Sequence, residues 1–241
     1  MVDFMDQVPG SKQNFHDTSA VPSNEILTDT QRLDYERSAY ELRSFLDTLE
    51  PFERAALEQF DGLSRDWLTL TYLGLKPVMS TEGVGFTASR LAQEDSRFIY
   101  IPRGPYLVNL EAALQVMSEN QEHFDDVDWP TATSSQPHPV TGDVPLGKVY
   151  LQGYLDKLKD WSKSANDRKI RIKAGLLYGF PIGAVLDYAD DISPLETHTN
   201  HHVNFGYSQR STVEVAEYDK KLDAVFGLVD PIISSAFESE K

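Results

Sequence analysis

Three of the six histidines lie within five residues and form the pattern His-x-x-His-His. Imidazole nitrogens commonly bind zinc and related divalent metals, and a catalytic zinc typically has three protein ligands and a water. One hypothesis is therefore a metal-dependent hydrolase in which His198, His201 and His202 hold the ion. The spacing differs from the helical His-Glu-x-x-His motif. The same residues could instead form a polar turn before a strand, or a cluster that changes charge near pH 6 to 7. We therefore predict no cofactor, and a divalent metal stays an alternative.

A run of glycine, proline and aromatic residues at 174–186 is the second candidate. Its three glycines are spaced four apart and would share one face of a helix. Pro181 would clash with the carbonyl four residues earlier in such a helix. We therefore predict that one element ends near Tyr178, that the chain turns at Gly179 and Phe180, and that a helix begins at Pro181. The corner is either a tightly packed part of the core or a small-molecule pocket lined by Tyr178, Gly179 and Phe180.

Other chemical signatures are weak or absent. Arg103 lies in a loop between Pro102 and the pair Gly104-Pro105, where it is a surface residue or a weak anion-binding candidate. Neither the serine hydrolase motif G-x-S-x-G nor the nucleotide motifs G-x-x-x-x-G-K-[ST] and G-x-G-x-x-G occur. The chain has no cysteine, which excludes disulfides, cysteine nucleophiles and thiolate metal sites.

The charge balance narrows the classes of partner. The 241 residues include 22 Lys and Arg against 38 Asp and Glu, a formal net charge of −16. Nucleic-acid binding requires clusters of basic residues, so we expect none. The basic run at 168–173, with four cations in six positions, is interpreted as one positive face or as a site for an anion or an acidic partner.

Acidity without a catalytic motif favours one function over two alternatives. The leading hypothesis is an acidic, soluble, non-enzymatic interaction protein that binds a protein partner, such as a basic protein, or assembles as a homo-oligomer. The alternatives are the metal-dependent hydrolase and a small-molecule-binding domain around residues 178–181. The longest uncharged apolar stretch has 13 residues, whereas a bilayer span needs ~20. The first residues of the sequence are acidic and do not resemble a signal peptide. Together these two features predict no membrane insertion and a cytoplasmic location.

The apolar patterns predict a predominantly helical α+β fold with about seven helices and a small antiparallel sheet. A flexible tail is expected at 1–26, followed by a helical region with one short strand at 27–127. The segment 128–146 is rich in Pro, Ser and Thr and is predicted to be a linker or a loop, with a lid over a site as an alternative. A C-terminal α+β region follows at 147–230, and residues 231–241 are expected to form a tail.

Local signals place several boundaries. Thr28 or Asp29 is predicted to cap the first helix, and Asn109 a later one, because each precedes apolar residues spaced three and four apart. Pro51 and Gly62 divide residues 28–75 into three consecutive helices.

Strands and the last helix have weaker signals. Strands are predicted at 97–101 and 203–207, and a possible short strand at 84–86. Residues 211–214 have the Ser-x-x-Glu form of a capping box. The helix that follows is expected to end before Pro231.

Overall fold

The computed structural model describes residues 26–59, 62–102, 104–158, 167–192, 196–200 and 203–238. Within these residues the helices are α1 (Asp29–Asp47), α2 (Pro51–Leu57), α3 (Leu63–Tyr72), α4 (Gly85–Glu94), α5 (Leu110–Glu119), α6 (Trp129–Ala132), α7 (Leu146–Leu158), α8 (Arg168–Leu177), α9 (Ile182–Ala189) and α10 (Thr212–Glu238). The strands are β1 (Val78–Ser80), β2 (Phe98–Ile101), β3 (Tyr106–Asn109), β4 (Glu196–Asn200) and β5 (Val203–Tyr207). The predominantly helical α+β fold is confirmed, with ten described helices rather than about seven.

The first three helices begin where the sequence predicts. Thr28 and Gln31 form a capping box, in which each side chain accepts a hydrogen bond from the other residue's backbone N–H. Pro51 is the first residue of α2. Gly62 precedes α3 with a φ of 81°, a conformation that glycine adopts without strain. These boundaries depend on local chemistry, which explains why they could be predicted.

Helix α10 is longer than predicted because it packs against α1. Pro231 lies inside α10, and the predicted helix end at this proline is wrong. A proline inside a helix costs about 3 kcal/mol. Val229 and Ile233, on either side of it, are buried in the same hydrophobic core as Leu46 of α1. Residues 231–238, predicted to be a tail, therefore belong to α10, and 239–241 lie outside the described residues. The predicted tail at 1–26 also lies outside them, apart from its last residue.

A three-stranded antiparallel sheet lies between two groups of helices. Its strand order is β1-β3-β2, and Val108 of the central strand pairs with Val78 on one side and Ile99 on the other. The region 27–127 thus contains three short strands instead of one. Residues 84–86 are not a strand but the start of α4, whose Ala88 and Leu91 are buried.

Asn109 connects the sheet to α5. Its side-chain oxygen accepts a hydrogen bond from the backbone N–H of Ala112 at 3.1 Å, so the predicted cap is confirmed. Its amide nitrogen donates to the carbonyl of Thr71, near the end of α3, at 3.0 Å. The direction of α5 is therefore tied to both β3 and α3.

The segment 128–146 is a structured surface loop. It contains the short helix α6 and an isolated bridge between Pro137 and Pro145. A second hydrophobic core contains Met117 and Phe124 from before the loop together with Leu151 from after it. The loop therefore connects two parts of one core. None of the described helices is both long enough and apolar enough to cross a membrane.

Candidate ligand-binding cleft

The corner between α8 and α9 has the predicted form. Helix α8 ends at Leu177 and α9 begins at Ile182. Gly179 has a φ of 77°, in the left-handed region. The backbone N–H groups of Gly179 and Phe180 donate to the carbonyls of Leu176 and Gly175 at 2.9 and 3.1 Å. Gly179 thus reverses the chain while the carbonyl groups at the end of α8 keep hydrogen-bond partners.

The corner packs closely on the segment that follows α3. A Cβ atom added to Gly179 would overlap the carbonyl oxygen of Leu75 and would lie 3.1 Å from the Cα atom of Lys76. A Cβ atom added to Gly175 would lie 2.7 Å from Val185 Cγ2. Gly179 therefore allows a close approach to the backbone at residues 75–76, and Gly175 a close approach to the side chain of Val185. This is the tight packing that one interpretation of the sequence predicted.

Lys76 is buried beneath this corner inside an aromatic cage. Only 4% of the residue is exposed. Its Nζ atom lies 4.7, 5.0 and 5.3 Å from the ring centroids of Tyr178, Trp67 and Phe180. It donates one long hydrogen bond, of 3.4 Å, to the carbonyl of Tyr178. No carboxylate among the described residues forms an ion pair with it.

Burial without a counter-charge lowers the pKa of Lys76 to about 7, because the interior disfavours the ammonium form. Lys173 provides a contrast. It is 5% exposed, but its Nζ atom lies 2.6 Å from Asp126 Oδ1. Burial alone would raise the pKa of Asp126, but hydrogen bonds from Lys173 and Tyr154 lower it. One buried lysine is therefore paired with a carboxylate, and the other contacts rings and a carbonyl group.

A cleft of about 530 Å³ lies beside the corner, between α5 and α10. Positions spaced three and four apart on each helix share one face. These faces contribute Ala112, Gln115, Val116 and Glu119 from α5, and Glu214, Tyr218, Lys221 and Leu222 from α10. The remaining lining consists of Gly74, Leu75, Asn120, Leu176, Gly179, Phe180, Pro181 and Ile182. The cleft thus combines apolar walls with polar groups of both charges.

Phe180 belongs both to the cleft wall and to the aromatic cage around Lys76. Its ring lies over Lys76 and also lines the cleft. It contacts the rings of Tyr178 and Phe205 at centroid distances of 6.0 and 5.1 Å.

Burial raises the pKa of the Tyr178 hydroxyl above its usual value, and the neighbouring Tyr106 raises it further. The predicted residues Tyr178, Gly179 and Phe180 are therefore brought together, with Gly179 and Phe180 in the cleft wall.

A buried carboxylate holds α9 in place. Asp187 accepts hydrogen bonds from the hydroxyls of Ser208 and Ser211, each at 2.6 Å. Burial would raise the pKa of Asp187, but hydrogen bonds from these serines lower it. Glu214 accepts from the backbone N–H of Gly183 at 2.8 Å. Ser211 and Glu214, predicted to form a capping box, instead bind other elements and fix the position of the cleft wall.

The basic run at 168–173 is neutralised in the folded chain. It forms α8, and each of its four cations has a carboxylate partner from another part of the sequence. The pairs are Arg168–Asp190, Lys169–Asp125, Arg171–Asp191 and Lys173–Asp126. The run is therefore an ion-paired face of the protein and offers little unbalanced positive charge to an anion.

Of the other candidate residues, only His198 lies among the residues that the structure describes. His198 is in β4, where its backbone pairs with Phe205. His201, His202 and Arg103 are outside the described residues. The residues that are described contain no group of three His, Asp or Glu side chains that could hold a metal ion. The metal site and the anion site therefore stay predictions.

The sequence interpretation missed Lys76 and the α5–α10 cleft. Lys76 follows Leu75 in the run Leu-Gly-Leu-Lys-Pro-Val, where it is the only charged residue. That isolation was an available signal of a buried charge. The aromatic cage comes from Trp67 and from a corner about one hundred residues away, at Tyr178 and Phe180. Nothing local in the sequence connects these segments.

Related proteins do not supply a function for the cleft. Comparison with protein-family models, curated proteins and solved structures finds no match to this chain. The function is therefore inferred from the side chains that line the cleft and surround Lys76.

Proposed function

We propose that this protein binds a small organic molecule in the cleft between α5 and α10. The observation that supports this proposal is the concave wall formed by α5, α10 and the corner at residues 179–182, which combines apolar and polar side chains. Small-molecule sites are typically clefts of ~300–1,000 Å³ with apolar walls and a few polar groups that orient the ligand. The cleft, at about 530 Å³, falls in this range.

The lining favours a ligand with an apolar body and one or two polar groups. Val116, Phe180 and Leu222 offer apolar surface. Gln115 and Lys221 offer hydrogen-bond donors at the side of the cleft. Transfer of apolar surface from water would supply most of the binding free energy, and the polar groups would select the orientation.

Benzyl alcohol, which has an apolar ring and one hydroxyl, is a suitable first probe. We expect it to shift the backbone amide resonances of cleft residues on α5 and α10 in NMR spectra of the full chain. Gln115 is exposed on α5 at the cleft. Gln115→Trp would place an indole there and is expected to weaken binding about tenfold, or about 1.4 kcal/mol.

The matched control is Gln152→Trp. Gln152 is also exposed on a helix, α7, but it does not line this cleft. Its variant should bind benzyl alcohol as the unmodified chain does. Resonance shifts that map away from α5 and α10, or that Gln115→Trp leaves unchanged, would contradict the proposed site.

A second candidate function, binding of a basic protein, has one specific observation in its favour. Phe52 on α2 and Phe86 on α4 are 63% and 66% exposed, and their ring centroids are 6.0 Å apart. Paired exposed aromatic side chains are typical of interaction sites. Glu50 and Glu82, both exposed, lie close to them in the sequence. With a net charge of −16, this surface favours a partner with apolar and basic residues.

An amphipathic helical peptide of Leu and Lys would test this candidate. Replacing both Phe52 and Phe86 by serine is expected to weaken its binding about tenfold in fluorescence anisotropy. The control is Leu33→Ser on α1, because Leu33 is equally exposed, at 66%. Equal affinities for the double variant and the control would exclude the Phe52–Phe86 surface as the binding site.

A further inference from the structure

We propose that Lys76 is a reactive amine that forms an imine with an aldehyde or ketone bound in the α5–α10 cleft. The inference rests on the proposed function, because the cleft must first hold the carbonyl compound. It deepens that function by naming the ligand's chemical class and the residue that captures it. Three features of the structure support it: the surroundings of the amine, its position behind Phe180, and its difference from Lys173.

The surroundings of Lys76 suit a nucleophile. An amine attacks a carbonyl carbon only as its neutral form, so a buried amine without a counter-charge is activated. The Nζ atom of Lys76 has one long hydrogen bond to a carbonyl group and no carboxylate partner among the described residues. Burial lowers its pKa to about 7, from 10.5 for an exposed lysine. At neutral pH roughly half of the Lys76 amine is then neutral, against about one in three thousand for an exposed lysine.

Phe180 provides the route between the amine and the cleft. Its ring lies 5.3 Å from Nζ and forms part of the cleft wall. A rotation of this one side chain would expose the amine to a molecule already in the cleft. Gly179 contributes by bringing the corner backbone against Lys76. The closed arrangement protects the amine, and the open one would bring it to the ligand.

The reaction requires no other reagent. The lone pair of Nζ forms a bond to the carbonyl carbon, while the π electrons move to oxygen, and a proton passes from the nitrogen to that oxygen. The resulting carbinolamine loses its hydroxyl group with a proton as water, and a C=N bond forms. One amine and one carbonyl compound thus give one imine and one water, without oxidation or reduction.

Reductive trapping with benzaldehyde tests the proposal. The folded full chain is incubated with benzaldehyde at about pH 7, reduced with sodium borohydride and digested for peptide mass spectrometry. Borohydride converts the imine into a stable secondary amine that carries one benzyl group. We expect Lys76 to be labelled about tenfold faster than Lys173. Lys173 is the matched internal control because it is equally buried but paired with Asp126.

Two variants make the test specific. Lys76→Arg keeps a cation in the cage but lacks the nucleophile, so the labelled peptide should disappear. Phe180→Leu replaces the ring by a smaller side chain and should increase the labelling rate of Lys76, because the route from the cleft is wider. Circular dichroism of both variants verifies that they are folded.

Benzyl alcohol separates failure of this proposal from failure of the proposed function. If the alcohol shifts the cleft resonances but benzaldehyde labels Lys76 no faster than Lys173, the cleft binds ligands and the reactive amine is disproved. If neither the alcohol nor the aldehyde affects cleft residues, the proposed function itself is contradicted. Labelling of Lys76 without any effect on cleft resonances would overturn the cleft as the route to the amine.

Discussion

Replacing Gly179 by alanine should lower the free energy of unfolding by about 2–5 kcal/mol. Two effects add. The backbone of Gly179 has a φ of 77°, which costs an L-residue ~1–2 kcal/mol. The new Cβ atom would also overlap the carbonyl oxygen of Leu75, and overpacking of this kind costs typically ~1–3 kcal/mol. Urea denaturation followed by circular dichroism would measure the change.

Gly83 is the matched control for this variant. It has a φ of 83°, but a Cβ atom there would meet nothing within 4 Å. Gly83→Ala should therefore cost only the backbone strain, about 1–2 kcal/mol. The difference between the two variants measures how closely the corner contacts the segment at Leu75. Equal losses of stability would show that this contact does not constrain the fold.

The same substitution should affect the cleft. Gly179 lines the cleft and lies against Lys76, so a displaced corner would alter both the ligand wall and the aromatic cage. For this reason Gly179→Ala is a test of packing and is unsuitable as a test of ligand binding. Gln115→Trp, at an exposed helix position, changes the cleft without this effect on the core.

Replacing Lys76 by methionine should stabilise the protein at about pH 6 and should abolish one pH dependence of its stability. On folding, the pKa of Lys76 falls from 10.5 to about 7. This shift corresponds to a cost of about 5 kcal/mol for burying the charged form of the amine. Methionine fills a similar volume without a charge. Replacement of buried charges by apolar residues can stabilise proteins by ~1–4 kcal/mol, so we expect a gain of about 2–4 kcal/mol.

The sign of the pH dependence follows from proton binding. Between about pH 7 and 10.5 the unfolded chain keeps a proton on Lys76 that the folded chain has lost. Stability therefore rises with pH in this window, by about 1.4 kcal/mol per pH unit for this group. The cost of burying the amine is fully present below about pH 7. The difference between Lys76→Met and the unmodified chain should consequently shrink as the pH rises.

Measurements from about pH 6 to 9 are sufficient, because the buried tyrosines affect stability only near pH 10. Subtracting the two denaturation curves at each pH removes the contributions of all other groups. Lys173→Met is the control, and it should lower stability because Asp126 loses its partner. A constant difference between Lys76→Met and the unmodified chain across this range would show that Lys76 stays charged in the folded protein.

The expected effects of Lys76→Met and Lys173→Met differ because the two buried lysines have different partners. A buried amine with no carboxylate partner among the described residues lowers stability, whereas the ion-paired Lys173 provides a less costly way to bury a lysine. Proteins retain such costs most often at functional sites, where they set the reactivity of a group. The position of Lys76 beside a cleft wall is consistent with that pattern and motivates the trapping experiment.

Features that depend on neighbouring residues can be predicted from the amino-acid sequence alone. The helix starts after Thr28 and Asn109 follow from side chains that accept hydrogen bonds from backbone N–H groups three residues away. The turn at Gly179 and the helix after Pro181 follow from the backbone preferences of glycine and proline. Because these effects act within a few residues, they could be predicted without the fold.

Features that depend on distant partners arise only when the chain has folded. Helix α10 continues through Pro231 because burial against α1 outweighs a local cost. Short strands such as β1 and β3 form because they pair with each other, and three or four residues are too few to show a periodic pattern. The cage around Lys76 joins segments about one hundred residues apart. Its burial, and therefore the lowered pKa and the proposed reactivity, exists only after the chain has folded.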